Sequence, residues 1–135
     1  MRHASRLLPT LISKAGSSDA IPLTNGLQKR DFTFVGDVAD SLIQLGCVKT
    51  ELGQVVNLAS GTLQSVRHFI EVTAEVSAIE RQRLKFGEIP TRQEEMVHDP
   101  VNNERLRALT GSAPCSSIQE GIRQTLATPW PHEIV

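Results

Sequence analysis

Apolar positions along the chain follow two different spacings. Short runs that are unbroken or that alternate every second residue are typical of strands, and apolar residues three or four positions apart are typical of amphipathic helices. The first spacing predicts strands at 20–23, 30–35, 55–60 and 80–86, and the second predicts helices at 7–15, 38–48, 66–79, 102–109 and 117–127. Strands that alternate with helices along a chain predict an α/β fold.

The residues that flank these segments predict local details. Asp37 and Ser65 stand directly before two of the helices, where side-chain oxygens commonly cap the first turn. In the segment 80–86, Arg81, Arg83 and Lys85 fall on one face of a strand, so we expect these three side chains to be solvated.

Composition narrows the classes of protein that the chain could represent. A length of 135 residues suits one domain, predicted at 1–128 with a C-terminal tail at 129–135. A net charge of −1 argues against nucleic-acid binding, and no apolar run reaches the roughly 20 residues of a membrane helix. Cys47 and Cys115 form no metal-binding spacing, so we expect reduced, partly buried thiols and a cytoplasmic protein.

The first 18 residues permit a second interpretation. They are basic and lack acidic residues, as amphipathic transit peptides do, although a surface helix explains the same pattern. We favour the surface helix because Leu7, Leu8 and Leu11 have helical spacing.

Few side chains have a spacing that indicates chemistry. Glu95 and His98 match half of a carboxylate-bridged metal motif, but such sites need a second copy, so no metal site is predicted. The sequence contains no nucleophile elbow, phosphate-binding loop or glycine-rich dinucleotide fingerprint. We therefore predict no catalytic, cofactor-binding or metal-binding residues in this chain.

Two arginines remain as candidates for anion binding. Arg30 opens a predicted strand, and Arg92 lies in a long irregular segment. A guanidinium group can contact a phosphate at two points, and two such groups can hold a diphosphate. Ordinary salt bridges are the alternative, from Arg30 to Asp31 or Asp37 and from Arg92 to a neighbouring glutamate.

Four blocks in order resemble one known family. They are "IPLTNGLQKRDFTFVGDVADSL", "GQVVNLASGTLQSVRHFIEV", "KFGEIPTRQEE" and "LTGSAPCSSIQEGIRQTL". Together, from about Leu7 to Leu126, they resemble the C-terminal, substrate-binding portion of the NAD-dependent epimerase/dehydratase family, the extended short-chain dehydrogenases that act on nucleotide sugars. The resemblance implies a small mixed α/β substrate domain.

The resemblance also implies roles for individual residues. Arg30 and Arg92 would grip the diphosphate of a nucleotide sugar from two sides, and Gln28 belongs to the same block as Arg30. The strand that ends at Leu23 would lie along the nucleotide base. These four residues are the predicted substrate site.

Departures from the family limit the expected activity. The family's late G-W-x-P appears as Gly111–Pro114 without the tryptophan, and the chain has no tyrosine to form the catalytic Tyr-x-x-x-Lys pair. The N-terminal Rossmann domain that binds NAD or NADP in the family has no counterpart in these blocks. We therefore expect a fragment or truncated homologue that holds no cofactor and is inactive alone.

Two alternatives remain open, and both concern binding. The chain could be a stand-alone module that binds nucleotide sugars or related anions, or an interaction protein with a vestigial ligand site. Because Val55, Val56 and Leu58 would lie near an unpaired sheet edge, we expect a homo-oligomer or a Rossmann-domain partner.

Overall fold

Among the residues that the structure describes, five α-helices and four short strands form an α/β fold, as predicted. The computed structural model describes residues 6–49, 53–91 and 97–128. The helices are α1 (Leu7–Ser13), α2 (Val35–Cys47), α3 (Val66–Val76), α4 (Glu104–Thr110) and α5 (Ile118–Ala127). The strands are β1 (Ile21–Leu23), β2 (Lys29–Asp31), β3 (Leu63–Ser65) and β4 (Leu84–Phe86).

The strands pair into two small sheets that share helix α3. β1 runs parallel to β4, with Leu23 opposite Phe86, and β2 runs antiparallel to β3, with Arg30 opposite Gln64. The main core joins α1, α3 and the β1–β4 sheet through apolar side chains that are at most 8% exposed: Leu11, Ile21, Leu23, Ile70, Ala74, Ile79 and Leu84. The core therefore fixes β1 and α3, the two elements that flank the β2–β3 ribbon.

Helix α3 begins where the sequence predicted. The Oγ of Ser65 accepts a hydrogen bond from the backbone N–H of His68 at 3.1 Å, which confirms the predicted cap. Val66 and Arg67 are the first two residues of the helix, and their N–H groups donate to the carbonyls of Gln28 and Gly26 at 2.9 and 2.8 Å. The start of the helix thus holds the turn that precedes β2.

Residues 55–60 are not a strand, contrary to the prediction. Side chains bind the carbonyl groups that a neighbouring strand would use: Arg105 donates to the carbonyl of Val55 at 2.9 Å. Asn103 donates to the carbonyls of Ala59 and Ser60, both at 3.0 Å. The apolar composition of the segment predicted a strand but could not reveal which groups would bind its carbonyls.

Asp37 is not the cap of α2. The helix begins at Val35 with Phe34 in the capping position, which places Asp37 inside the first turn. Its carboxylate instead accepts hydrogen bonds from the N–H groups of Cys115 and Ser116, at 2.9 and 2.8 Å, and from the Ser116 hydroxyl at 2.7 Å. Asp37 therefore connects α2 to the segment before α5, and no local sequence pattern predicts this contact.

The predicted solvated face at 80–86 is wrong for Arg83. Residues Arg81–Arg83 form a 3₁₀ turn, and strand β4 begins only at Leu84. The Arg83 side chain is buried, and its guanidinium donates to the carbonyls of Lys14 and Asp19 at 2.8 and 2.9 Å. Lys85 is exposed, as expected.

The cysteine environments also differ from the prediction. Both Cys47 and Cys115 are free and exposed rather than partly buried. No helix in the described part of the chain is long and apolar enough to cross a membrane.

Candidate functional site

Strand β2 owes its position to the carboxylate of Asp31. One oxygen accepts from the hydroxyls of Thr33 and Ser60, at 2.7 and 2.8 Å, and from the Ser60 N–H at 3.2 Å. The other oxygen accepts from the Gly61 N–H at 2.8 Å. Burial acts to raise the pKa of Asp31, but these hydrogen bonds outweigh it, and the pKa lies below the ordinary value of 3.8. The ionised Asp31 therefore clamps β2 to the segment that enters β3.

Arg30 and Phe32 lie on either side of Asp31, and alternation in a strand directs them to the opposite face. The ring of Phe32 stacks on Phe69 of α3 with centroids 4.3 Å apart. Arg30 is half-buried, and its guanidinium donates to the carbonyl of Lys29 at 2.7 Å. The aromatic stack anchors the ribbon to α3 next to the candidate arginine.

A groove of about 820 Å³ opens beside the turn before β2, and we call it the Gln28 groove. Its walls come from the turn and β2, from the start of β3, and from residues on both sides of 92–96. The lining residues are Asn25, Leu27, Gln28, Lys29, Gly61, Thr62, Leu63, Thr91, Val97, His98 and Pro100. The volume falls in the range of small-molecule sites, roughly 300–1,000 Å³.

The charge of the Gln28 groove favours anions. None of its described lining residues is acidic, whereas Lys29 carries a positive charge. A second groove, of about 680 Å³ on the side of Phe32 and α3, contains both Glu75 and Arg107 and shows no such bias.

The structure brings some predicted site residues together and leaves others apart. Gln28 lines the groove, and its Oε1 is buried without a hydrogen-bond partner in the described part of the chain. Arg30, two residues further along β2, is not among the residues that line this groove, and its cross-strand neighbour Gln64 lines the second groove. Arg92 lies outside the described residues, although Thr91, directly before it, lines the groove. Convergence of the two arginines therefore stays a prediction.

Leu23, the remaining predicted site residue, does not line the Gln28 groove. Its side chain is 8% exposed and belongs to the core, and its carbonyl accepts hydrogen bonds from the N–H groups of Gly87 and Ile89, both at 3.0 Å. The end of β1 thus supports the segment that leads to Thr91. Contact of Leu23 with a nucleotide base stays a prediction.

The predicted site did not include Lys29 or His98, two of the residues that line the groove. Lys29 stands inside the block that contains Gln28 and Arg30, so its position was a usable signal. His98 comes from a distant irregular segment, and no spacing connects it with the turn.

The described residues contain no cluster of metal-binding side chains. No group of three or more His, Cys, Asp or Glu side chains there is placed to hold a metal ion, and Glu95 of the predicted half-motif lies outside them. The two sheets described have two strands each. Whether the chain holds NAD or NADP stays a prediction.

Comparison with known proteins places the chain beside nucleotide-sugar enzymes. No protein-family model matches it. It is 23% identical over 125 residues to the CDP-abequose synthase of Salmonella muenchen, an alignment that spans 92% of this chain and 42% of that enzyme.

Solved structures share the fold. The Bordetella bronchiseptica enzyme WbmF in complex with NADH is 30% identical with a TM-score of 0.72, over 90% of this chain and 35% of WbmF. The dTDP-glucose 4,6-dehydratase of Bacillus anthracis, in complex with NAD, has a TM-score of 0.74 at 16% identity, over 93% of this chain and 39% of that enzyme.

The comparisons confirm the predicted resemblance. The chain resembles a portion of the NAD-dependent epimerases and dehydratases and has the α/β fold of that portion. It spans about two-fifths of the length of these relatives.

Proposed function

We propose that the chain is a substrate-binding part of an NAD-dependent enzyme that acts on nucleotide sugars. In this proposal Arg30 and Arg92 hold the diphosphate, Gln28 lies beside it in the Gln28 groove, and Leu23 supports the nucleotide side. The chain by itself binds no cofactor and catalyses no reaction. Its place of action is the cytoplasm.

The observation that carries the proposal is the Gln28 groove itself. It is large enough for a nucleotide, its described lining lacks acidic residues, and it contains Lys29 and His98. The residues on both sides of the 92–96 segment line it, and that segment carries Arg92. A lysine in a described lining without acidic residues is suited to phosphate oxygens.

The relatives support nucleotide diphosphates as the ligand class. One is a CDP-abequose synthase, another is a dTDP-glucose dehydratase, and WbmF has been solved with NAD⁺ and UDP. The base differs among the three, so the shared feature to test is the diphosphate.

The affinity should be low. Two charge-assisted contacts contribute about 1.5–3 kcal/mol each, which corresponds to a Kd between roughly 10 mM and tens of micromolar, and the ordering of the ligand favours the millimolar end. Salt should weaken binding, because the groove is open to solvent and its charges are screened. Neutral sugars should not bind.

The test is a nuclear magnetic resonance titration of the chain with UDP, CDP and dTDP. We expect shifts of backbone resonances in residues 25–30 and 61–63, lost in the Arg30→Ala and Arg92→Ala variants. Lys85→Ala is the matched control, because Lys85 is an exposed cation on β4 whose removal should leave the titration unchanged. If none of the three nucleotides shifts these resonances, the clamp is vestigial and the interaction-protein alternative replaces this proposal.

Inactivity is tested separately. For the isolated chain, calorimetry should detect no binding of NAD or NADP, and chromatography should detect no turnover of nucleotide sugars. Saturable cofactor binding at micromolar concentration would contradict this part of the proposal.

A further inference from the structure

Arg67, the second residue of helix α3, is held by two other side chains. The central carbon of its guanidinium group lies over the ring of Phe86, 4.2 Å from the ring centroid. Its Nε lies 3.3 Å from a carboxylate oxygen of Glu71, one turn further along the helix. The Arg67 side chain is nevertheless 45% exposed. The guanidinium group is therefore fixed in position, with an aromatic ring on one side and solvent on the other.

Arg67 also borders the Gln28 groove. Its backbone N–H donates to the carbonyl of Gly26 at 2.8 Å, and the residues on either side of Gly26 line the groove. A Cβ atom at Gly26 would lie 2.9 Å from the Cβ of Arg67, so the turn packs directly on the arginine. Phe86 ends β4, and the segment that follows it leads to Thr91 on the groove wall. The cation and the ring therefore lie beside the groove rather than inside it.

We propose that Arg67 stacks on the base of a nucleoside diphosphate whose phosphates lie in the Gln28 groove. The inference rests on the proposed function and adds to it a contact for the base. In a nucleoside diphosphate the ribose separates the base from the phosphates, so the base lies beside the phosphate site, as Arg67 does. The base and Phe86 then lie on opposite sides of one planar cation, which attracts both aromatic faces.

This contact selects for the presence of a base and not for its identity. Every nucleobase has an aromatic face, so stacking tolerates any of them. A cation over an aromatic face at an exposed site corresponds to roughly a two- to five-fold gain in affinity. UDP and ADP should therefore each bind more tightly, by about that factor, than ribose 5-diphosphate, which has the diphosphate and the sugar but no base.

The plane of the guanidinium group is required in addition to its charge. Lysine keeps the charge but ends in a compact ammonium group that has no plane. Arg67→Lys should therefore bind ribose 5-diphosphate like the unmodified chain and should lose most of the preference for UDP. The matched control is Arg123→Lys, at an exposed arginine of α5 that does not line the Gln28 groove, and this variant should keep the preference.

A nuclear magnetic resonance titration with UDP, ADP and ribose 5-diphosphate tests the stacking. It gives the affinity of each ligand for the unmodified chain and for the two variants. The ring current of a stacked base should also move the Nε–H resonance of Arg67 upfield with UDP and ADP but not with ribose 5-diphosphate. Far-ultraviolet circular dichroism verifies that Arg67→Lys is folded.

Three results would overturn the role of Arg67 and leave the proposed function intact. Equal affinity of the unmodified chain for UDP and ribose 5-diphosphate would show that the base makes no contact. An unchanged preference for UDP in Arg67→Lys would place the base elsewhere. An equal loss of affinity for both ligands in this variant would show that Arg67 acts through its charge or through the fold. If none of the three ligands binds, both the proposed function and the role of Arg67 are wrong.

Discussion

Replacement of Asp31 should destabilise the fold more than replacement of any exposed carboxylate. The Asp31→Ala variant removes the acceptor of the Thr33 and Ser60 hydroxyls and of the Gly61 N–H, whereas the Ser60 N–H keeps the Oγ1 of Thr33 as an acceptor at 3.2 Å. The two hydroxyls can turn towards water, but the Gly61 N–H cannot. One unpaired donor costs about 1–3 kcal/mol, and the lost hydroxyl hydrogen bonds add to it, so we expect a loss of about 2 kcal/mol.

The Asp31→Asn variant isolates the charge. It keeps one acceptor oxygen but directs an amide N–H₂ group towards donors, so we expect a loss of about 1–2 kcal/mol. Asp40→Asn is the control, since Asp40 is exposed on α2, and its replacement should change stability by less than about 0.5 kcal/mol. Urea unfolding followed by circular dichroism gives the three free energies of unfolding.

The pH dependence provides a second measure of the same clamp. Because the folded-state pKa of Asp31 lies below its unfolded value, the unfolded chain binds the proton more readily and acid favours unfolding. The contribution of Asp31 should be fully present above about pH 5 and should disappear as pH falls through the folded-state pKa. Asp31→Asn should reduce this acid sensitivity without abolishing it, since the pKa of Asp37 is also lowered. Equal stability of Asp31→Asn and the unmodified chain at pH 7 would refute the clamp.

Substitutions at Arg83 and Gly26 test two close contacts with the backbone. Arg83→Met keeps most of the buried stem but removes both hydrogen bonds to the carbonyls of Lys14 and Asp19, so urea unfolding should show a loss of about 2 kcal/mol. Gly26→Ala should cost more than Gly53→Ala, although both positions have positive φ, because only at Gly26 would the added Cβ lie 2.9 Å from the Arg67 backbone. We expect about 1 kcal/mol at Gly53 and at least twice that at Gly26, and equal losses would contradict the close approach.

The sequence predicted those elements whose determinants are local. Helix α3 has a cap, an apolar stripe and a start in adjacent residues, so Ser65 and the helix were both recognisable. Strand β1 and helix α5 were found for the same reason. The order of strands and helices, and hence the fold class, follows from these local signals.

The wrong predictions involve partners that are distant in sequence. Segment 55–60 has the composition of a strand, but its carbonyls are bound by Arg105 and Asn103, about 45–50 residues away. Arg83 alternates correctly for a solvated face, yet it is buried against carbonyls more than 60 residues upstream. Asp37 has the residue type of a cap but binds Ser116. Composition and periodicity contain no information on these pairings.

Arg30 and Asp31 are adjacent in β2 and have different expected roles, ligand binding for Arg30 and stabilisation of the fold for Asp31. Asp31 joins β2 to Gly61, and these two segments form two of the walls of the Gln28 groove. Loss of the Asp31 carboxylate should therefore reduce both the stability of the fold and the shifts induced by nucleotides, because the walls would separate. Arg30→Ala should reduce only the nucleotide shifts, because Arg30 contributes a charge at the site rather than a contact between its walls. The same titration and the same unfolding assay, applied to both variants, distinguish the residue that stabilises the groove from the residue that is proposed to bind the ligand. An Arg30→Ala variant as unstable as Asp31→Ala would contradict this assignment of roles.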